Sequence, residues 1–100
     1  MATKKETNNG ERAVVVCTEF RGVFFGYAKD TSGDSVKLRA GRMCVYWTAE
    51  MRGAPGLAKM GPDKGCRISP PADVELRKIT AVFEVDADAV KRWEDAPWGR

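Results

Sequence analysis

One hundred residues carry 17 Lys and Arg, 14 Asp and Glu and no His, for a formal net charge of +3. That length makes one domain with a core of its own, and a 43% hydrophobic, 31% charged make-up is that of an ordinary globular chain. The missing His excludes Ser-His-Asp and Cys-His nucleophile activation, mixed Cys/His zinc sites and the usual neutral-pH acid–base group.

Met1 to Arg12 are almost wholly polar and read as a flexible tail ahead of a single β-rich domain over 13–100. Nothing there resembles the apolar centre of a secretory signal, and no later run is long and apolar enough for a bilayer, so the cytoplasm is the expected location and no membrane partner is expected. A first strand is predicted over Ala13–Thr18, from the β-propensity of Val14, Val15 and Val16. A second, Phe20–Ala28, places Val23, Phe25 and Tyr27 on one face and Phe24 on the other. Apolar on both sides, it is expected at the sheet centre or against a partner chain.

Asp30-Thr31-Ser32-Gly33-Asp34 supplies a turn. In a third strand over Ser35–Ala40, Val36 and Leu38 alternate with Ser35, Lys37 and Arg39, giving one dry and one wet face. Gly41 is expected to break or bulge the chain before a fourth strand, Arg42–Thr48. Ala49–Lys64 holds Gly53, Gly56, Gly61, Pro55 and Pro62 and reads as an irregular loop with one helical turn at Leu57–Met60. A short strand near Cys66–Ser69 precedes the extended corner at Pro70-Pro71.

The last long strand spans Val74–Val85, where the apolar phase changes and predicts a bulge near Arg77-Lys78. Asp86 is the expected N-cap of a helix from Ala87 to about Glu94, with Asp88 paired to Arg92 and with Ala89, Val90 and Trp93 facing inward. The fold class is therefore mainly β: a small curved antiparallel sheet or barrel of five to six strands with one C-terminal helix.

Chemistry is sparse. Cys17, Cys44 and Cys66 form no Cys-x-x-Cys pair. Cys17 and Cys44 sit in strands, where free cysteine behaves as a small hydrophobe, while Cys66, beside Arg67, is the thiol to test for reactivity. With no base to activate it, the chain reads as non-enzymatic, and no metal or cofactor is expected.

Positive charge concentrates between Lys37 and Arg67, a segment of net +5, against −2 for the remainder. Basic residues interleaved with aromatics suit a phosphate-bearing nucleotide or a single-stranded nucleic acid. Arg39, Arg42, Trp47, Arg52, Lys59, Lys64 and Arg67 are the candidate ligands for such an anion; the bland alternative is a solvated basic face. Gly61-Pro62-Asp63-Lys64-Gly65 lacks the ending of a P-loop, and Gly53-Ala54-Pro55-Gly56 has the spacing of a KH loop without flanking helices. Phe24 and the terminal Trp98 offer more apolar surface than one small core needs, which points to a homo-oligomer or a protein partner.

Arg21-Gly22-Val23-Phe24-Phe25-Gly26-Tyr27, then Arg42-Met43-Cys44-Val45-Tyr46-Trp47, then Gly56-Leu57-Ala58 and Gly61-Pro62, resemble a small domain of unknown function found in bacteriophages and prophages. The resemblance spans about Arg21 to Trp98. It implies a phage-encoded accessory protein acting in the host cytoplasm, or a minor virion component, and implies no catalytic residue. A weaker likeness, of shape alone, is to Sm-like barrels, whose early strands also hold a Gly-Val-x-x-Gly hairpin; their preceding amphipathic helix and Arg-Gly ending are missing here.

Overall fold

Three valines in a row leave the first strand no wet side, and the fold buries both of its faces. In the computed structural model, which describes residues 10–19, 22–51 and 53–97, β1 (Arg12–Thr18) lies between β2 (Val23–Ala28) and β6 (Ile79–Glu84). The long β3 (Ser35–Tyr46) pairs with β2 and also with β4 (Arg67–Ile68) and β5 (Ala72–Arg77). All pairings are antiparallel, and the six strands make one sheet in the order β4-β3-β2-β1-β6, with β5 off this path against β3. The sheet curls but does not close. Of the two expected architectures, the curved open sheet is the one formed.

Each sheet face has its own core. Val14, Val16, Ala28, Val36, Leu38 and Leu76 gather in an inner cluster that includes no helix residue. Ala13, Val15, Phe25, Tyr27, Cys44 and Ile68 gather on the other side, under two helices. These are α1 (Gly53–Met60), which a 3₁₀ turn at Ala49–Met51 introduces, and α2 (Ala87–Asp95). Trp93 of α2 is fully buried and stacks on Phe25, with ring centroids 5.1 Å apart and planes 7° from parallel. The doubly apolar second strand is thus central, with Phe24 packed against the inner cluster and Phe25 under the helices. No partner chain is needed to account for it.

The expected third and fourth strands are one continuous strand with a bulge. Ala40 adopts φ 55°, and the β3–β5 register slips between Leu38 and Gly41. One extra residue in a strand exchanges its faces from that point on. Val36 and Leu38 point into the inner cluster, but beyond the bulge Cys44 points into the helix-side core. Met43 pairs opposite Phe24 on the other side. The predicted phase change near Arg77-Lys78 is also present: Lys78 has φ 60° and separates β5, which pairs with β3, from β6, which pairs with β1.

The segment expected as an irregular loop is ordered. Leu57 and Ala58 of α1 are buried against the sheet, and this packing overrides the poor helix propensity of Gly53, Pro55 and Gly56. Pro55 stands in the first turn, where its missing N–H leaves no helical bond unmade. Gly61, at φ 79°, donates its N–H to Leu57 O at 2.9 Å and ends the helix. A Cβ there would lie 2.8 Å from that of Arg92 on α2.

Three smaller expectations are corrected. Glu11 and Arg12, assigned to the tail, belong to the folded body: Glu11 is buried and Arg12 pairs opposite Ala28. Asp86 occupies the N-cap position of α2, but its carboxylate makes no capping bond and lies 3.8 Å from Lys59 Nζ. The ion pair along α2 is Lys91–Asp95 at 3.6 Å rather than Asp88–Arg92.

Candidate functional site

The basic and aromatic residues expected to hold an anion do not, among the described residues, gather in one place. Arg42 faces inward and is 7% exposed. Its Nε donates to Ser69 O at 2.7 Å, Nη1 to Trp93 O at 2.6 Å and to Glu94 O at 3.2 Å, and Nη2 to Ala96 O at 2.6 Å. The guanidinium therefore satisfies the carbonyls at the C-terminal end of α2, which also favours a cation there. Arg42 is a structural residue, not an anion ligand. Trp47 is half-buried against the helix-side core, and Lys59 is exposed beside Asp86. Arg52 and Trp98 lie outside the described residues.

Arg39 lies at the edge of an open cleft of about 790 Å³, which Tyr27, Lys29, Lys37, Asp73 and Glu75 also line. Its Nε contacts both oxygens of the buried Glu11 carboxylate at 2.9 and 3.1 Å, and its guanidinium sits 4.8 Å from the centre of the Tyr27 ring. The Tyr27 hydroxyl donates to Glu94 of α2. Burial, and then this bond to a carboxylate, hold the phenol well above its usual pKa. Sequence reasoning missed this Glu11–Arg39–Tyr27–Glu94 chain, because its members lie far apart along the chain. It ties the residue just before β1 to β2, β3 and α2, and acids and bases are mixed along the cleft.

Lys64 and Arg67 are the two expected ligands that come together. They line a smaller concavity of about 380 Å³ with Val45, Tyr46, Gly65 and Cys66. Tyr46 is 59% exposed, Val45 49% and Met43 37%. On the same strand Val36, Leu38 and Cys44 are each at most 2% exposed. The bulge at Ala40 is the cause: it turns Arg42 and Cys44 inward and sends Met43 and Val45 outward. Half-buried Phe24, the expected interface residue, stands opposite Met43 and continues this apolar strip.

Cys66 departs from the expectation of an activated thiol. It is buried, its Sγ lies 3.4 Å from Asp63 Oδ1, and burial pushes its pKa up. The Cys44 thiol is pushed up to about 12, first by burial and then by the neighbouring Cys66. Burial works against the Asp63 charge too, but hydrogen bonds from Thr48, Cys66 and Gly65 outweigh it and hold this carboxyl below its usual range. Among the described residues, no group of three or more His, Cys, Asp or Glu is placed to hold a metal ion, and no helix is long and apolar enough to cross a membrane.

No curated protein and no solved structure matches this chain. A family model does match residues 11–93, from the buried Glu11 through the sheet and α1 to Trp93, and the chain belongs to the family it describes, the domain of unknown function DUF6948.

Proposed function

We propose that this chain is a phage-encoded accessory protein that acts in the host cytoplasm by binding rather than catalysis. Its contact surface is the strip Phe24, Met43, Val45 and Tyr46. One observation carries this reading: three large apolar side chains of β3 are exposed beyond the bulge, while the apolar residues before it are buried. Leaving such a strip in water forgoes burial energy of about 25 cal/mol per Å². Contiguous exposed apolar surface marks contact sites more often than single exposed residues do.

The occupant that fits best is a host protein with an apolar patch and an acidic rim. Lys64 and Arg67 border the strip, and in a two-fold pairing with a second copy these like charges would be brought toward each other. The test compares the wild-type chain with Val45→Asp, first shown to be folded by circular dichroism. Binding of the captured host protein, measured with both purified partners, is expected to fall at least about 30-fold for Val45→Asp, the loss of a central apolar anchor. Equal affinity would overturn the reading, and a concentration-dependent dimer lost in Val45→Asp would replace the host protein with a second copy.

A second reading, a binder of single-stranded nucleic acid or nucleotide, is favoured by the exposed Tyr46 ring beside Lys64 and Arg67. It predicts affinity that falls steeply with salt and that Lys64→Glu abolishes. The protein-binding reading predicts a weak salt dependence dominated by Val45.

A further inference from the structure

Cys44 and Cys66 are separated by more than twenty residues, yet they meet. The register of β4 against β3, with Cys44 opposite Ile68 and Tyr46 opposite Arg67, brings the chain before β4 back alongside the end of β3. Both side chains are buried in the helix-side core, the Cys44 thiol donating to Tyr46 O and the Cys66 thiol to Asp63 Oδ1, each at 3.4 Å, and the two thiols are close enough for Cys66 to raise the Cys44 pKa. Both are free thiols. They are not equivalent. Cys66 lines the concavity formed with Tyr46, Lys64 and Arg67, so a small molecule entering there meets it first, and Cys44 is not among the lining residues.

We infer that Cys44 and Cys66 are a dithiol–disulfide modification site, in which a peroxide oxidises Cys66 and Cys44 resolves it. In the first step the Cys66 sulfur attacks one oxygen of hydrogen peroxide. The O–O bond breaks, Cys66 becomes a sulfenic acid, and the second oxygen leaves as water with the thiol proton. In the second step the Cys44 sulfur attacks Cys66 Sγ, the S–S bond forms, and the hydroxyl leaves as water with the Cys44 proton. Two thiols and one peroxide thus give one disulfide and two waters. Burial keeps both thiols protonated at neutral pH, so oxidation is slow there and accelerates as pH rises.

The bond would join the end of β3 to the segment between α1 and β4. That fixes the walls of the concavity, Tyr46 on one side and Lys64 and Arg67 on the other. It also displaces the Cys66 thiol from Asp63. This site goes beyond the docking reading and does not depend on it.

The experiment treats the folded full chain with hydrogen peroxide at neutral and mildly alkaline pH, blocks remaining thiols with N-ethylmaleimide, and maps peptides by mass spectrometry. The expected product is a monomer with Cys17 alkylated and with the Cys44 and Cys66 peptides joined, the joined pair lighter by two hydrogen atoms than the sum of the reduced peptides. A Cys44→Ala chain is expected to carry Cys66 as sulfinic acid or as an intermolecular dimer instead. Cys66 sulfinic acid in the wild type with Cys44 still alkylated would overturn the inference. So would a bond to Cys17, or no disulfide at any peroxide concentration that leaves the chain folded.

Discussion

Arg42 Nη1 donates to the carbonyl of Trp93 at 2.6 Å, across 51 positions of sequence, and Trp93 Nε1 in turn donates to Leu57 O at 3.1 Å. Each contact closes the C-terminal end of a helix: Arg42 that of α2, Trp93 that of α1. The sheet, α2 and α1 are therefore linked in series through two side chains. Because Phe25 stacks on the Trp93 ring, the same tryptophan also anchors this linkage to the sheet.

Arg42→Met is expected to destabilise the fold by about 3 kcal/mol, because four carbonyl bonds are lost in a site with little water. Arg42→Lys should recover little of that, since one ammonium cannot reproduce a fork that reaches residues 69, 93, 94 and 96. Urea denaturation of both variants checks this. Unchanged midpoints would return Arg42 to the list of candidate ligands.

Gly56→Ala reverses the usual sign of a glycine-to-alanine change in a helix. An interior alanine ordinarily gains up to about 1 kcal/mol. Here the new Cβ would fall 1.6 Å from Met51 O, so the 3₁₀ turn or α1 must move. Thermal unfolding is expected to show a net loss of more than about 2 kcal/mol. A gain in stability would mean that the turn and helix do not meet in this way.

Stability is expected to fall on the alkaline side. The Cys44 thiol is raised from 9.0 to about 12 on folding, so the folded state holds this proton more tightly than the unfolded chain. Its contribution is complete below about pH 9 and is lost as pH rises toward 12. Tyr27 and Cys66 shift in the same direction, burial being the first cause for each. Under reducing conditions, urea midpoints between about pH 8 and pH 11 should drop less steeply for Cys44→Ala than for the wild type. Parallel slopes would contradict the burial of this thiol.

Much of the sheet was legible because alternation is a local property. Val36 and Leu38 named their face, and the helix with inward Trp93 followed from the spacing of Ala89, Val90 and Trp93. What the sequence concealed depended on contacts distant along the chain. Glycines and a proline at 53–61 read as loop residues, since nothing local shows that Leu57 and Ala58 pack on the sheet. A bulge was expected at Gly41 and lies at Ala40, but Arg42 read as a surface cation because nothing local shows that this bulge turns it toward the end of α2. The same slip hid the exposed pair Met43 and Val45. The proposed contact surface was therefore legible only in Phe24, on its doubly apolar strand, and in the basic corner of Lys64 and Arg67.

The strip on β3 is tested most directly by the affinity of the captured host protein for the wild type and for Val45→Asp and Lys64→Glu, each confirmed folded. The account predicts a loss of at least about 30-fold for Val45→Asp and less than about fivefold for Lys64→Glu, a rim charge. Affinity unchanged in Val45→Asp, or lost only in Lys64→Glu, would contradict it.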